Sequence, residues 1–141
     1  MSETIQKYSA GGVIVNGDQV LTIKWLSKDS IEFPKGTIEH GETHEQTAIR
    51  EVGEETGYQT KIIQSLGDTT FEYDWTNGYH YRKTVYYFLM ELANNDEPVP
   101  NREDSEDFEN NWLTFEQAAE LLTHDDSKEV LSRAVAAIQS K

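Results

Sequence analysis

Residues 36–58 read GTIEHGETHEQTAIREVGEETGY and carry the clearest helix signals of the chain. Thr43 is a favourable N-cap, and Gln46, three residues later, completes a capping box. Gly57 supplies the left-handed residue that commonly ends a helix. The pattern therefore predicts a helix between Thr43 and Gly57. A narrow apolar stripe on this helix is formed by Ala48, Ile49 and Val52.

Glutamates gather on one part of this helix, at Glu51, Glu54 and Glu55. Spacings of three and four place carboxylates on one face, where like charges repel by a few tenths of a kcal/mol per pair. Gly53 in the same turn costs a further ~1 kcal/mol relative to alanine. A helix selected only for stability would avoid this turn, whereas clustered carboxylates suit hard cations such as Mg²⁺. A solvated acidic face is the alternative that the glutamates alone leave open.

The spacing around the helix is more specific than the glutamates themselves. From Gly36, five residues lead to Glu42, seven more lead to Arg50, and the run continues to Tyr58. This arrangement resembles the Nudix box, G-x5-E-x7-R-E-U-x-E-E-x-G-U, where U is a bulky aliphatic residue. Eight of the nine specified positions match. Tyr58 is the departure, at a position that normally packs rather than reacts.

The order of predicted elements indicates an α/β fold. The resemblance implies a Nudix-type α/β/α sandwich, with a mixed sheet between helices, as a single domain over residues 1–141. Strands are predicted at 7–15, 19–26, 61–66, 69–75, 79–91 and 112–115, and helices at 115–122 and 128–139. Residues 94–111 are acidic and contain prolines, so they are predicted to form a loop. Gly11 and Gly12 mark a point where backbones approach closely.

The resemblance implies a role for each matching position of the box. The ligands of Mg²⁺, or of Mn²⁺ in its place, would be Glu51, Glu54, Glu55 and the backbone carbonyl of Gly36. Arg50 would hold the glutamates in position through charge-assisted hydrogen bonds, and Glu42 would support them. The metal would polarise phosphoryl oxygens, activate the attacking water and neutralise the leaving phosphate.

The general base has two candidates, because relatives place it differently. Glu54 is the candidate within the box. Some relatives instead use a glutamate in the loop before a Trp-containing strand, and here that loop precedes Trp112. Glu106 is favoured in this loop, as an extra ligand or as the base. The alternative is that the acidic loop is merely solvated.

Two short segments resemble those of asymmetric diadenosine tetraphosphate hydrolases, a Nudix subfamily. Pro34-Lys35-Gly36 resembles its PKG lead-in, and the segment from Lys83 to Tyr87 resembles its K-x-x-x-Y strand. Residues two apart on a strand share a face, so Lys83 and Tyr87 lie on the same side. Lys35 and Lys83 are thus expected to contact phosphate, and Tyr87 to stack on an adenine. A core position is the alternative for Tyr87.

Several further residues have weaker signals. Trp75 and residues 79–82 either line the cleft or form a solvated hairpin. His40 and His44 flank Glu42 but lack the cysteine or third close histidine of a zinc set, so they are predicted to be surface residues.

The composition limits the classes of partner. With 12 basic and 26 acidic residues, the formal net charge is −14, which repels nucleic-acid polymers and anionic membranes. The absence of cysteine excludes disulfide and thiolate chemistry. No apolar run reaches the ~18 residues of a membrane span, and no signal-peptide layout is present. A cytoplasmic protein is expected, as a monomer or a homodimer, and the resemblance implies a small nucleotide substrate.

The resemblance implies a pyrophosphohydrolase that splits diadenosine tetraphosphate into ATP and AMP. The alternative substrates are nucleoside triphosphates, nucleotide sugars and diphosphoinositol phosphates. A non-catalytic nucleotide sensor and a protein–protein module with an acidic surface are the alternatives outside enzymes. The complete box favours an enzyme, because a sensor can lose its glutamates without penalty.

Overall fold

A computed structural model describes residues 3–99 and 107–140 of the chain. Within these ranges the elements are β1 (Thr4–Asn16), β2 (Gln19–Trp25), β3 (Ser30–Glu32), β4 (Lys35–Thr37), α1 (His44–Thr56), β5 (Thr60–Asp74), β6 (His80–Leu92), β7 (Phe108–Thr114), α2 (Phe115–Leu121) and α3 (Asp125–Gln139). None of these helices is long and apolar enough to cross a membrane.

The strands form a mixed sheet in the order β3-β2-β1-β6-β5, with β4 beside β1 and β7 beside β2. β1 runs parallel to β6, in register from Thr4 opposite His80 to Ile14 opposite Met90. The other pairings are antiparallel. β1 therefore connects the edge strand β4, which holds Lys35 and Gly36, to the strand that holds Lys83.

Helices cover both faces of the sheet, which confirms the predicted α/β/α sandwich. On one face, α1 contributes Ala48 and Val52 to a buried cluster with Ala10, Ile14, Leu21, Phe88 and Met90. On the other face, α2 and α3 contribute Ala118, Val130, Leu131 and Ala134 to a cluster with Val13, Val85 and Leu89. Full burial of each large apolar side chain stabilises the fold by roughly 1.5–3 kcal/mol.

The predicted ends of α1 are confirmed. The Thr43 hydroxyl accepts from the Gln46 backbone N–H at 3.1 Å, and the Gln46 side chain accepts from the Thr43 N–H at 2.9 Å. Gly57 has a φ of 83° and its N–H donates to the Gly53 carbonyl. The prediction that Ile49 belongs to the apolar stripe of α1 is wrong, since this side chain is 39% exposed. Ala48 and Val52 are the apolar residues that α1 buries.

One predicted break in the sheet is instead a bulge. The two strands expected at 61–66 and 69–75 are a single strand, β5, whose register against β6 shifts between Ile62 and Gln64 and again between Ser65 and Gly67. Gly67 adopts a φ of 81°. A bulge adds a residue to one strand without ending the ladder, so a glycine at this point bends β5 rather than terminating it.

The loop predicted at 94–111 ends too late. Its last residues belong to β7, which pairs with β2 as far as Trp25 opposite Phe108. The rings of Trp25 and Phe108 lie 4.5 Å apart. The close approach predicted at Gly11 and Gly12 is confirmed, because a β-carbon at either position would overlap a neighbouring residue.

Candidate active site

Arg50 lies at the centre of a carboxylate network on α1. Its Nε and Nη2 atoms donate to the two Glu42 oxygens at 2.7 and 2.9 Å. Its Nη1 atom donates to Glu51 at 2.7 Å and to Glu54 at 3.3 Å. Nη2 also donates to the Thr37 carbonyl at 3.1 Å. One guanidinium therefore fixes the positions of several carboxylates and ties the helix to the end of β4.

Both oxygens of the Glu42 carboxylate accept hydrogen bonds from within the protein. Its carboxylate also accepts from the Glu39 backbone N–H at 3.0 Å and from the Thr47 hydroxyl at 2.9 Å. The hydrogen bonds from Arg50 and from the Glu39 backbone lower the pKa of Glu42 to about 2. Glu42 is thus ionised throughout the neutral range, as a partner of Arg50 requires.

Gly36 leaves space for the carboxylate of Glu51. A β-carbon at position 36 would overlap the Glu51 carboxyl group. Burial raises the pKa of Glu51, with a further rise from the nearby charges of Glu54 and Glu39, while the hydrogen bond and charge of Arg50 oppose the rise. A half-buried carboxylate beside other carboxylates is a group that an added cation would stabilise.

Glu55 faces the same strand as Glu51. One of its oxygens accepts from the backbone N–H of Lys35 at 3.1 Å. Residues four apart on a helix lie on one face, so Glu51 and Glu55 meet β4 at consecutive residues. Glu54 points towards Arg50 instead, and its side chain is 42% exposed.

The donor set fits a hard divalent cation. Carboxylate oxygens and a backbone carbonyl are the ligands that Mg²⁺ prefers, and the space at Gly36 admits one carboxylate close to the backbone. Within residues 3–99 and 107–140, no group of three or more acidic, histidine or cysteine side chains is already arranged around one metal position. Arg50 Nη1 lies between Glu51 and Glu54 and offsets only part of their negative charge, because the same guanidinium also pairs with Glu42.

A cavity of about 500 Å³ adjoins this network and is called the lysine cleft below. Its walls are Lys28, Glu32, Lys35, Phe71, Tyr73, Trp75, Lys83, Tyr87, His124, Asp126 and Ser127. Lys35 lines the cleft, and its backbone N–H donates to Glu55, which follows Glu54 of the carboxylate network on α1. The cleft and the network therefore meet at one residue.

The cleft has an excess of cationic side chains near its glutamate. Glu32 pairs with Lys28 at 3.4 Å and with Lys35 at 3.2 Å. Burial alone would raise the pKa of Glu32, but Lys35, the Ser30 hydroxyl and Lys28 together hold it at about 2. Burial and the charge of Lys35 lower the pKa of Lys83. In the described part of the chain, Lys83 forms no ion pair within 4 Å, so an anion entering the cleft would stabilise its charge.

Tyr87 shares a face with Lys83 and lines the cleft, but the structure contradicts its expected stacking on an adenine. Only 1% of its surface is exposed, and its ring packs edge-on against Phe33 with centroids 6.3 Å apart. Burial raises the pKa of its hydroxyl. Tyr87 is a core residue at the floor of the cleft.

Other aromatic rings line the cleft from β5 and the residue after it, with Phe71 and Trp75 exposed and Tyr73 half-buried. Phe71, Tyr73 and Trp75 alternate along the strand and line the same cleft, and Trp75 is 58% exposed. Sequence reasoning considered Trp75 but missed Phe71 and Tyr73. The available signal was the alternation of aromatic residues within the predicted strand 69–75, because alternate residues share a face. We call Phe71, Tyr73 and Trp75 the aromatic wall.

The candidates at 79–82 do not line the lysine cleft themselves. His80 contacts Glu72 and Asp74 at 2.8 Å each, on the hairpin beyond the cleft. Tyr81 stacks on Tyr73 with ring centroids 5.3 Å apart. Glu106 lies outside the described residues.

The predictions for three further residues agree with the structure. His40 and His44 are exposed, as predicted. Tyr58, the departure from the box, packs against Trp112 with ring centroids 5.6 Å apart and accepts a hydrogen bond from its indole at 3.2 Å. The aromatic residue at this position therefore serves packing.

Comparison with known proteins decides the family. The NUDIX domain profile matches residues 6–134. The chain belongs to the Nudix family. The Nudix chain is 34% identical to the asymmetrical bis(5'-nucleosyl)-tetraphosphatase of Sus scrofa, over 70% of this chain and 65% of that protein. It is also 34% identical to the ADP-ribose pyrophosphatase of Bacillus subtilis, over 76% of this chain and 54% of that protein.

A solved structure shows the same Nudix fold. The C. elegans Ap4A hydrolase in a binary complex superposes with a TM-score of 0.74 and 24% identity, covering 96% of this chain and 99% of that chain. The Nudix chain spans between about half and two thirds of the length of the curated relatives that it matches.

Proposed function

We propose that this Nudix protein is a divalent-metal-dependent hydrolase of dinucleoside polyphosphates, which splits diadenosine tetraphosphate into ATP and AMP. The observation that carries the proposal is the position of Lys35 and Gly36. These neighbours connect a cleft with three lysines to the glutamates of α1. A polyphosphate bound by the lysines would lie beside the carboxylates, where a metal would be held.

The metal would be held by Glu51, Glu54, Glu55 and the Gly36 carbonyl, with Mg²⁺ as the expected ion and Mn²⁺ as a substitute. When bound, it would supply charge neutralisation on the phosphoryl oxygens and a more acidic water. Arg50 would act as a positioning residue that keeps Glu51 and Glu54 in place. Glu54 is the base candidate among the described residues, because its side chain is the most exposed of those that Arg50 holds at 3.3 Å or less.

The lysine cleft would bind the phosphate chain and one adenosine. Lys35 and Lys83 would contact phosphate oxygens, and the aromatic wall would stack on the adenine in place of Tyr87. Water would attack one phosphorus, forming a new phosphorus–oxygen bond while the bridging bond to the neighbouring phosphate breaks. The water proton would pass to the base, and the products would be ATP and AMP.

The relatives support two substrate classes. The Sus scrofa protein's name states a tetraphosphatase activity, in agreement with the lysine cleft, which suits a long phosphate chain. The name of the Bacillus subtilis protein states ADP-ribose as its substrate, so ADP-ribose is the second candidate. The complete glutamate set argues against a sensor without activity. A cytoplasmic enzyme, as a monomer or a homodimer, remains part of this proposal.

A substrate panel with Mg²⁺, resolved by chromatography, tests the proposal. The panel contains diadenosine tetraphosphate, nucleoside triphosphates, ADP-ribose and a nucleotide sugar. We expect ATP and AMP from diadenosine tetraphosphate at the highest kcat/KM. A higher kcat/KM on ADP-ribose would make ADP-ribose the preferred substrate, and the proposed metal-dependent hydrolysis of a phosphoanhydride would stand. Binding of nucleotide without turnover of any substrate would overturn the enzymatic proposal.

A further inference from the structure

A second cavity, of about 470 Å³, lies at the beginning of α1, and we call it the histidine cleft. Its walls are Tyr8, Ile38, Glu39, His40, Gly41, Glu42, His44 and Tyr86. Tyr86 and Tyr87 are consecutive on β6, so their side chains face opposite sides of the sheet. The histidine cleft is therefore separate from the lysine cleft.

The histidine cleft has aromatic walls, of which His44 and Tyr8 are exposed and Tyr86 is half-buried. The rings of His44 and Tyr86 are stacked, with centroids 3.9 Å apart and an interplanar angle of 21°. Tyr8 is 48% exposed and stands two residues before Ala10, which pairs with Tyr86. Tyr8 and Tyr86 thus lie on the same face of neighbouring strands. An exposed aromatic ring is a surface on which a nucleobase can stack.

The charges of the histidine cleft select against phosphate. No lysine or arginine is among its described lining residues, whereas Glu39 and Glu42 are. The Glu42 carboxylate forms an ion pair with Arg50 and is therefore not the acceptor for a ligand. Glu39 is exposed and stands 3.9 Å from Arg50. A carboxylate accepts hydrogen bonds from the exocyclic amine of a base, so a neutral purine ring fits this cleft better than an anion.

The chain runs directly from one cleft to the other past the carboxylates. Lys35 lines the lysine cleft, Gly36 faces Glu51, and the Thr37 carbonyl accepts from Arg50. Ile38 and Glu39 then line the histidine cleft. A phosphate chain that follows this segment would have one end in each cleft, with the metal-site glutamates between them.

We propose that the histidine cleft is a second nucleoside subsite, in which the other purine of a dinucleoside polyphosphate stacks on the outer face of His44, beside Tyr8, while Tyr86 supports the imidazole from behind. The inference rests on the proposed function and extends it, because it assigns both ends of the substrate. It also gives a physical reason for a preference for substrates with two nucleosides over those with one.

Steady-state kinetics of His44→Ala and His44→Phe test the subsite. Diadenosine tetraphosphate is compared with adenosine 5′-tetraphosphate, which has the same phosphate chain and a single adenosine. We expect His44→Ala to raise KM for diadenosine tetraphosphate about tenfold at unchanged kcat, which is the range for loss of one base stack. KM for adenosine 5′-tetraphosphate should not change. His44→Phe retains a ring and should retain the wild-type KM for both.

Ile49→Ala is the matched control, since it removes an exposed side chain from the same helix outside the cleft. It should leave KM for both substrates unchanged. An equal rise in KM for both substrates in His44→Ala, or no rise for either, would overturn the subsite. A fall in melting temperature with parallel losses on both substrates would assign the His44–Tyr86 stack to folding alone.

Adenosine binding separates this inference from the proposed function. In a titration with adenosine, followed by NMR, the imidazole proton signals of His44 should shift in the wild type, and Tyr8→Ala should weaken the binding. This readout needs no catalysis. If no dinucleotide is hydrolysed but the signals shift, the proposed function fails and the subsite stands. If turnover is seen but the signals do not shift, the subsite fails.

Discussion

Gly36 and Glu51 are matched across the contact between β4 and α1, because a β-carbon on residue 36 would occupy the place of the Glu51 carboxyl group. The backbone of Gly36 does not have a positive φ, so alanine is sterically excluded by its neighbour and not by its own conformation. The two positions together define where the carboxylate can lie.

Gly36→Ala should therefore reduce kcat by about 100-fold or more while the protein still folds, since misplacing a reacting group by about 1 Å costs this much. Activity and circular dichroism measured together check the prediction. A variant with wild-type kcat would show that Glu51 can move without consequence, and would remove it from the metal site.

Gly53→Ala should instead stabilise the protein by about 0.5–1 kcal/mol, because alanine is the better helix former. A β-carbon there would meet only the Tyr58 carbonyl, at 3.8 Å, within ordinary contact. Denaturant unfolding measures the change. A loss of stability would mean that the glycine in this acidic turn serves a packing requirement that the contacts do not reveal.

Glu54→Gln and Glu55→Gln should each remove most turnover without unfolding the protein. Each variant removes one of the mutually repelling charges on α1, so the melting temperature should not fall because of the helix itself. The kcat with saturating Mg²⁺ should fall by about 100-fold or more, as expected when a metal ligand or base is lost. Near-wild-type rates in either variant would show that the metal site is wrongly assigned.

Trp75→Ala and Tyr87→Ala should separate binding from folding. Trp75 is exposed on the aromatic wall, so its loss should raise KM for diadenosine tetraphosphate about tenfold and leave the melting temperature unchanged. Tyr87 is buried, so its loss should destabilise the fold by about 3–5 kcal/mol, as for other large aromatic truncations. A raised KM with unchanged stability in Tyr87→Ala, together with a loss of stability in Trp75→Ala, would assign the adenine contact to Tyr87.

His80 should make the stability of the hairpin depend on pH. Both ring nitrogens lie 2.8 Å from carboxylate oxygens, of Asp74 and Glu72, and carboxylates only accept, so both nitrogens donate when the ring is charged. The hydrogen bonds to Asp74 and to Glu72 raise the pKa of His80 in the folded state. The stabilisation is therefore complete below the unfolded value of about 6.5 and is lost as pH rises through the raised folded value.

Melting temperatures of the wild type and His80→Gln, measured from pH 6 to pH 9, check this dependence. The wild type should be the more stable at pH 6, and the difference should shrink towards pH 9. A difference that grows with pH would mean that the neutral ring is the stabilising form.

The sequence predicts the helix of the box well because its signals are local. Thr43, Gln46 and Gly57 act within one or two turns of the residues that they cap. The position of Ile49 is not predictable in this way, since its exposure depends on which strands α1 covers. The bulge at Gly67 and the early start of β7 at Phe108 likewise depend on partners far away in the chain.

The residues of the candidate site likewise fall into those set by local sequence signals and those set by distant partners. The glutamates and Arg50 follow a fixed spacing on one helix, and the sequence identifies them as a group. Tyr87 is misassigned because strand periodicity gives its face but not how deeply that face is covered. The aromatic wall follows from the alternation of rings along β5, but strand periodicity does not show which cleft that face lines. The histidine cleft is assembled from β1, β6 and α1, and only the fold brings its rings together.

The parallel ladder between β1 and β6 joins residues 4–14 to residues 80–90. On the ribosome, the amino-terminal strand emerges well before its partner has been translated, whereas α1 has all its capping residues within a short segment. The capping residues of the helix with the glutamates are thus available early, while the central ladder closes late, because long-range pairing must first overcome chain entropy. Until β6 arrives, the apolar residues of β1 lack that neighbour, and the nascent chain is exposed to aggregation through this unpaired strand.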